Sequence, residues 1–143
     1  MSENHWLRIP PEMQVESRLT WTIAVSSDQR ALGASYMLLN RPCESLGRLT
    51  AAEWMDLHSH IQRVEKALDD LLAPDAYEHT FTSKGARQMY MQVLPRYQSP
   101  RTWSGETFTY DEWGRPRQWP QQLSPEALRE LRDAIRARLP AVV

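Results

Sequence analysis

Residues 87–97 read Arg-Gln-Met-Tyr-Met-Gln-Val-Leu-Pro-Arg-Tyr, and this alternating stretch determines how the rest of the chain is interpreted. In an extended chain Gln88, Tyr90 and Gln92 point to one side, while the apolar residues between them point to the other. A period of two predicts a half-buried strand with one face on a core and one face open. Because proline cannot donate to a sheet ladder, Pro95 is predicted to end the strand. Two amides flanking a phenol make the open face a candidate site.

Three more strands are predicted from similar patterns. Residues 19–25 alternate between large apolar and small or polar side chains, which is typical of a strand. Residues 33–39 are nearly all apolar, as expected for a strand that is covered on both faces. The short turn sequence at 26–29 joins these two as an antiparallel hairpin. Residues 77–82 form the last of the three, and a tight turn at 83–86 leads into the alternating stretch.

Two helices have recognisable start signals. Thr50 and Glu53 form a capping box, in which each side chain satisfies a backbone N–H at the helix start. The helix is predicted to run to Ala73-Pro74, and its apolar residues follow a three-four spacing: Trp54, Leu57, Ile61, Val64, Leu68 and Leu71. Ser124 and Pro125 begin a last helix as its cap and first residue. Residues 98–123 lie between these elements and are predicted to be irregular.

Composition limits the class of protein. The chain has 143 residues with ordinary apolar and charged contents of 41% and 24%, which predicts one globular domain. A net charge of -1 gives no electrostatic reason to expect nucleic acid or an anionic membrane as partner. The lone Cys43 excludes an internal disulfide and a multi-thiolate metal site. His58 and His60 diverge on a helix, so neither a metal nor a cofactor is predicted. No apolar run is long enough to span a membrane and the polar start does not read as a signal peptide, so a soluble, cytoplasmic protein is expected.

The alternating stretch resembles the signature strand of the histidine triad (HIT) superfamily. In that pattern three alternating histidines are followed by two apolar residues and often by Pro-Arg-Tyr, as residues 93–97 are here. The three histidine positions fall on Gln88, Tyr90 and Gln92. None of the three is therefore a histidine.

Two further parts of the chain fit the same resemblance. The capped helix leads through Pro74-Asp75-x-Tyr77 towards the sheet, as in HIT proteins. Arg41 and the Ser45-Leu46 pair match the loop that leaves an earlier strand, but Pro42 stands where a histidine is usual. The resemblance implies an α+β fold, with an antiparallel sheet of about five strands, one long helix packed on it and a C-terminal helix, commonly assembled as a homodimer. It divides the chain into a lead-in (1–18), a HIT-like domain (19–113) and a C-terminal extension (114–143).

The resemblance also implies a chemistry that these residues cannot perform. In HIT proteins the middle histidine attacks the α-phosphate of a nucleotide, and a neighbouring histidine protonates the leaving group. Gln88 and Gln92 carry no titratable proton, although their amides can donate hydrogen bonds to phosphate-like oxygens. Tyr90 stands at the place of the nucleophile, but a phenol is mostly neutral at pH 7 without a base beside it. Histidine-dependent nucleotidyl hydrolysis or transfer is therefore predicted to be absent.

Three functions remain open at this stage. The first is a divergent HIT-like protein that keeps a small-molecule pocket for a nucleotide, phosphate or carboxylate, and its candidate ligand-binding residues are Gln88, Tyr90, Gln92, Arg41, Arg96, Tyr97 and Lys84. The second is a repurposed enzyme of the biosynthetic tailoring type, with Tyr90 or His79 as catalytic residue, or Cys43 at the pocket border. His79 would serve only if it lies on the open face. The third is a non-catalytic interaction subunit, in which the segment with Trp103, Trp113 and Trp119 binds a partner instead of covering a pocket.

Overall fold

A five-stranded antiparallel sheet forms the centre of the structure. The computed structural model describes residues 9–82, 88–117 and 123–142. The strands are β1 (Gln14–Ser17), β2 (Trp21–Val25), β3 (Ser35–Leu39), β4 (Ala76–Thr82) and β5 (Tyr90–Arg96). Their spatial order is β1-β2-β3-β5-β4, so the alternating stretch lies inside the sheet between β3 and β4. The predicted α+β class and the strand number are confirmed.

A long helix, α1 (Ala51–Leu72), packs on one face of this sheet. Its start has the predicted capping box: the Glu53 backbone N–H donates to Thr50 Oγ1 (3.1 Å), and the Thr50 N–H donates to Glu53 Oε1 (2.8 Å). It ends at Ala73, whose left-handed backbone (φ 48°) stops the helical hydrogen-bond pattern. Leu57, Val64 and Leu68 are buried against the sheet as predicted, and Ile61 and Leu71 are partly buried. Trp54, predicted on the same buried face, is 42% exposed.

The C-terminal helix, α2 (Pro125–Arg138), packs on α1 and on β1. Ser124 caps it, because its hydroxyl accepts a hydrogen bond from the Ala127 N–H at 3.1 Å. Arg136 donates to the backbone carbonyls of Val15 (2.8 Å) and Gln14 (2.6 Å). The outer strand β1 is thereby held by side-chain donors from the helix.

The structure corrects several predicted boundaries. The lead-in 1–18 includes strand β1, after a short 3₁₀ turn at Pro11–Met13. The strand predicted from residue 19 begins at Trp21, and Leu19 is 94% exposed in the turn before it. The segment 98–123, predicted to be irregular, contains a hairpin of β6 (Arg101–Trp103) and β7 (Glu106–Phe108). Its turn residues Ser104 and Gly105 both have positive φ (51° and 82°), as a tight two-residue hairpin turn requires.

Pro95 does not end strand β5, as had been predicted. Residues opposite one another in the ladder are Ser35 and Val93 on the β3 side, and Tyr77 and Pro95 on the β4 side. Because β3 starts at Ser35, Pro95 is paired with β4 alone, where a proline is tolerated.

Candidate functional site

Cross-strand register separates the residues of β4 and β5 into two faces. His79 lies opposite Val93 and Phe81 lies opposite Met91, so all four point towards α1. His79 Nε2 is 2.9 Å from Glu65 Oε2 on that helix. The structure therefore places His79 on the helix side of the sheet, away from Tyr90 and Gln92. His79 therefore does not meet the condition set for it as a catalytic residue, which was a place on the open face.

The open face of β5 carries Tyr90 and Gln92 as predicted. The Tyr90 ring stands edge-on against the Tyr36 ring of β3, with centroids 5.2 Å apart and an interplanar angle of 88°. Gln92 Nε2 lies 3.5 Å from Tyr36 Oη, a long contact. Both β5 side chains are half-buried. No described acid or base makes a hydrogen bond to the Tyr90 hydroxyl, so none of them is placed to activate it as a nucleophile.

Gln88, the first of the three alternating positions, has a different role. It precedes β5 and is buried, and its amide donates to the Leu39 carbonyl at 2.9 Å. This bond ties the start of β5 to the end of β3. The side chain predicted to bind a ligand is thus engaged with backbone.

A cleft of about 290 Å³ opens at the far end of the same face. Its floor is the end of β5, from Gln92 to Arg96, with Glu78 of β4 beside it. Its walls come from the loop between β2 and β3 (residues 28–31) and from a turn at residues 114–116. The cleft brings together two predicted ligand residues, Gln92 and Arg96, with residues from two loops that sequence reasoning did not select.

Two ion pairs lie along this cleft. Arg96 pairs with Glu78 across the β4–β5 ladder. Arg30 binds Asp28 in a fork, with Nε 2.9 Å from Oδ1 and Nη2 2.5 Å from Oδ2. The hydrogen bond from Arg30 lowers the pKa of Asp28, although partial burial opposes this. The cleft is therefore lined by oriented charges of both signs.

Tyr97 and Tyr110 fix the loop that carries Asp28 and Arg30. Tyr97 is fully buried and its hydroxyl donates to the Leu32 carbonyl at 2.5 Å. The Tyr110 hydroxyl accepts from the Leu32 N–H (3.2 Å) and donates to the Arg30 carbonyl (3.1 Å). Burial raises the pKa of Tyr110 to about 12 and raises that of Tyr97 as well. Tyr97, predicted to bind a ligand, instead supports the wall of the cleft.

Arg41 also has a structural partner in place of a ligand. Its Nε and Nη2 lie 2.6 and 2.8 Å from the two carboxylate oxygens of Glu53, at the start of α1. Nη2 also donates to the Arg48 carbonyl at 3.0 Å. The Arg41 guanidinium lowers the pKa of Glu53 to about 2, and the carboxylate in turn raises the pKa of Arg41. The arginine fork predicted to hold a ligand anion holds a carboxylate of the protein itself.

The other predicted groups do not converge on the cleft. Lys84 lies outside the described residues, so its predicted role stays a prediction. Cys43 is buried, and its thiol donates to the Ser45 carbonyl at 3.3 Å. Within the described part of the chain, no three His, Cys, Asp or Glu residues are grouped so as to hold a metal ion. In the same ranges no helix is long and apolar enough to cross a membrane.

The turn at residues 111–117 is, with the loop at 28–31, a part of the candidate site that the sequence interpretation missed. Asp111 Oδ1 accepts from the backbone N–H groups of Trp113 (2.8 Å) and Arg115 (3.0 Å). Gly114 adopts φ +79°, and an added Cβ would lie 2.9 Å from Arg96 Cβ. The signal that could have found this turn is an Asp followed three residues later by Gly, a combination that favours an Asx-type turn.

Comparisons with known proteins give the fold. The sequence matches no protein-family model, and no curated protein gives a significant match. A histidine triad protein from Bradyrhizobium japonicum superposes with a TM-score of 0.65 at 16% identity, over 88% of this chain and 89% of that one. A hypothetical histidine triad nucleotide-binding protein from Sulfolobus tokodaii gives 0.63 at 13% identity, over 88% and 82%. The C. elegans NitFhit protein gives 0.67 at 18% identity, over 92% of this chain and 28% of that one. The chain therefore has the fold of HIT proteins.

Proposed function

We propose that this chain is a HIT-like protein that binds a small anionic molecule, a nucleotide or another phosphate or carboxylate, on the open face of its sheet. It does so without the histidine-dependent nucleotidyl transfer of HIT enzymes. The observation that carries the proposal is the cleft at the end of β5, which contains Gln92 and Arg96 of the alternating stretch. Its volume of about 290 Å³ is close to the lower end of small-molecule sites, roughly 300 Å³.

The residues of the open face support binding better than catalysis. Amide and phenol groups on a central strand can donate hydrogen bonds to phosphate or carboxylate oxygens, and guanidinium groups add charge-assisted ones. Nucleotidyl transfer of the HIT type needs a nucleophile and an acid that titrate near neutral pH. Gln88 and Gln92 supply neither, and His79 faces the helix. One of the structural neighbours, from Sulfolobus tokodaii, is described as nucleotide-binding, which is compatible with a nucleotide as ligand.

Thermal unfolding tests the proposal with a panel of mononucleotides, dinucleoside polyphosphates and simple anions. A ligand at a hundred times its Kd adds about 2.7 kcal/mol, which raises the Tm of a domain of this size by several degrees. We expect such a shift for the wild type and a smaller one for Arg96→Ala, with no nucleotidylated protein by mass spectrometry. If no member of the panel shifts the wild-type Tm, small-anion binding is wrong.

The repurposed enzyme is the alternative, and Tyr90 is the candidate residue on the open face. An enzyme that relies on the phenol would lose turnover in Tyr90→Phe while binding persists. Tyr90 lies on the open face of the sheet and His79 on the helix face. Cys43 lies in a buried loop. No two of them are placed to act together, which is why binding is preferred.

We also propose that the chain forms a homodimer in the cytoplasm. Strand β4 is an edge of the sheet, and its seven residues have exposed or half-buried side chains. Exposed edge strands of this length are commonly covered by pairing with another strand. A monomeric mass by light scattering at high protein concentration would contradict the dimer.

A further inference from the structure

The charge of the cleft is concentrated in one residue. Five described ionisable side chains line it: Asp28, Glu78, Arg30, Arg96 and Arg115. Two of the arginines are already paired with the two carboxylates. The third, Arg115, has no salt bridge to a described residue, and Asp111, the carboxylate with which its charge interacts, is not part of the lining. Arg115 is not among the ligand-binding residues predicted from the sequence.

The backbone of Arg115 is held firmly at the rim of the cleft. Its N–H donates to Asp111 Oδ1 at 3.0 Å, and its carbonyl accepts from the Asp111 N–H at 2.9 Å. The first of these bonds, more than the nearby arginine charges, lowers the pKa of Asp111. Gly114 packs the turn directly on Arg96 of β5. The turn therefore fixes the position from which the Arg115 side chain extends.

The Arg115 guanidinium makes no hydrogen bond or salt bridge to any described residue, and the residue is exposed. Binding a ligand anion there breaks no existing ion pair, whereas Arg30 and Arg96 would each have to leave a carboxylate. The lowest-cost place for a negative group in this cleft is therefore Arg115.

The rest of the lining limits the ligand. Ala31, Leu94, Pro95 and Pro116 present apolar surface between the charged side chains. The volume of about 290 Å³ is at the small end of ligand sites, which favours a compact ligand. Because only one described lining cation is outside a salt bridge, a second or third phosphate group on the ligand would add little binding free energy.

We propose, on the basis of the proposed function, that Arg115 is the principal anion-binding residue. The ligand class is a small organic acid, with one phosphate or carboxylate group on a compact apolar body. A ligand with a single anionic group differs from the dinucleoside polyphosphates, which carry several phosphates, so the cleft is not assigned to them.

Isothermal titration with phenyl phosphate, benzoate and ATP tests the assignment. In Arg115→Ala we expect the Kd for the bound acid to rise at least tenfold, the order expected when a charge-assisted hydrogen bond is lost. Arg115→Lys keeps the charge and should recover part of the affinity. Arg138→Ala, an exposed arginine at the end of α2, is the matched control and should bind like the wild type. The Tm of all three variants should remain that of the wild type.

The outcomes separate this inference from the proposed function. If Arg96→Ala weakens binding and Arg115→Ala does not, the Arg115 assignment is overturned while the proposed function stands. If ATP binds more tightly than both small acids, the ligand class is overturned. Failure of all three compounds to bind the wild type overturns both. Whether phenyl phosphate or benzoate binds more tightly identifies the head group, and either order supports the assignment.

Discussion

Tyr97 supports the wall of the cleft although it does not line the cleft itself. Its ring is buried between Tyr110, with centroids 4.9 Å apart, and the Arg101 guanidinium, 4.6 Å from its centroid. Its hydroxyl holds the Leu32 carbonyl in the loop that carries Arg30. The residue thus acts on the site through the backbone.

Tyr97→Phe should lower the free energy of unfolding by about 1–2 kcal/mol, because the buried Leu32 carbonyl loses its side-chain donor. Urea unfolding followed by circular dichroism measures the difference. Tyr90→Phe is the matched control, since no described residue hydrogen-bonds the Tyr90 hydroxyl, and its stability should change little. Equal losses in the two variants would contradict a structural role that is specific to Tyr97.

Gly114→Ala tests the packing of the turn on β5. Alanine at φ +79° costs about 1 kcal/mol in backbone conformation. The clash of its Cβ with Arg96 Cβ, at 2.9 Å, adds about 1–3 kcal/mol. Gly105→Ala has a similar φ (+82°) and nothing within 4 Å of the added Cβ, so it should show the conformational cost alone.

Urea unfolding of both glycine variants gives the comparison. Gly114→Ala should be the less stable, and it should also bind small anions more weakly because the cleft wall moves. If the two variants have the same stability, the turn is not packed on β5 as described.

The start of α1 depends on a charged side chain from another part of the chain. Glu53 is shared between the capping box and Arg41, which comes from the loop after β3. Arg41, predicted to bind a ligand, is therefore occupied at the start of α1.

Arg41→Ala should destabilise the protein by about 1–3 kcal/mol at pH 7, because it leaves the nearly buried Glu53 carboxylate without its cation. The loss should shrink as the pH falls from 4.5 towards 2 and Glu53 becomes protonated. Urea unfolding at several pH values measures it, with the exposed Arg48→Ala as control. An Arg41→Ala variant of unchanged stability that no longer binds small anions would restore Arg41 to the site.

Local signals predicted some elements better than others. The capping box of Thr50 and Glu53 gave α1 almost to the residue, because the bonds that make it are between near neighbours. Strand β1 and the β6–β7 hairpin were missed, because strands of three or four residues carry too little alternation to detect. The Ser104-Gly105 pair was the available sign of the hairpin.

The sequence indicated the position of only some residues of the candidate site, for the same reason. Alternation placed Tyr90 and Gln92 on the open face, since side-chain direction along a strand is local. It could not show that Gln88 would bond to β3, or that His79 would face α1, because both depend on which strands become neighbours. The loops that close the cleft, at residues 28–31 and 114–116, reach it through the topology of the fold. No sequence pattern indicated that these residues lie next to β5.

At the scale of the whole molecule, one partly buried ion pair ties β1 to α1. Glu16 of β1 accepts from Arg63 of α1 at 2.7 and 2.9 Å, and Arg63 Nε donates to the Pro140 carbonyl after α2. The Arg63 hydrogen bond lowers the pKa of Glu16 to about 2, despite burial that opposes it. One arginine thereby links the first strand, the long helix and the C-terminal segment.

Stability should therefore fall in acid. Glu16 and Glu53 have folded-state pKa values near 2 against 4.5 for an ordinary glutamate, so their contribution is complete above about pH 4.5 and is lost as the pH falls towards 2. Unfolding free energies from urea titrations between pH 7 and pH 2.5 test this. Glu16→Gln should show a shallower decrease than the wild type, and an identical decrease would contradict the assignment to Glu16.

The most direct test of the account is amide chemical-shift mapping by two-dimensional NMR, with phenyl phosphate and AMP added to the wild-type protein. We expect the perturbed amides to cluster in the non-proline residues of three segments: the end of β5 from 92 to 96, residues 28–31 and the turn at 114–116. The amide of Arg41 should be unaffected. Perturbations centred on the helix face around His79, or on Arg41 at the start of α1, would contradict the placement of the site.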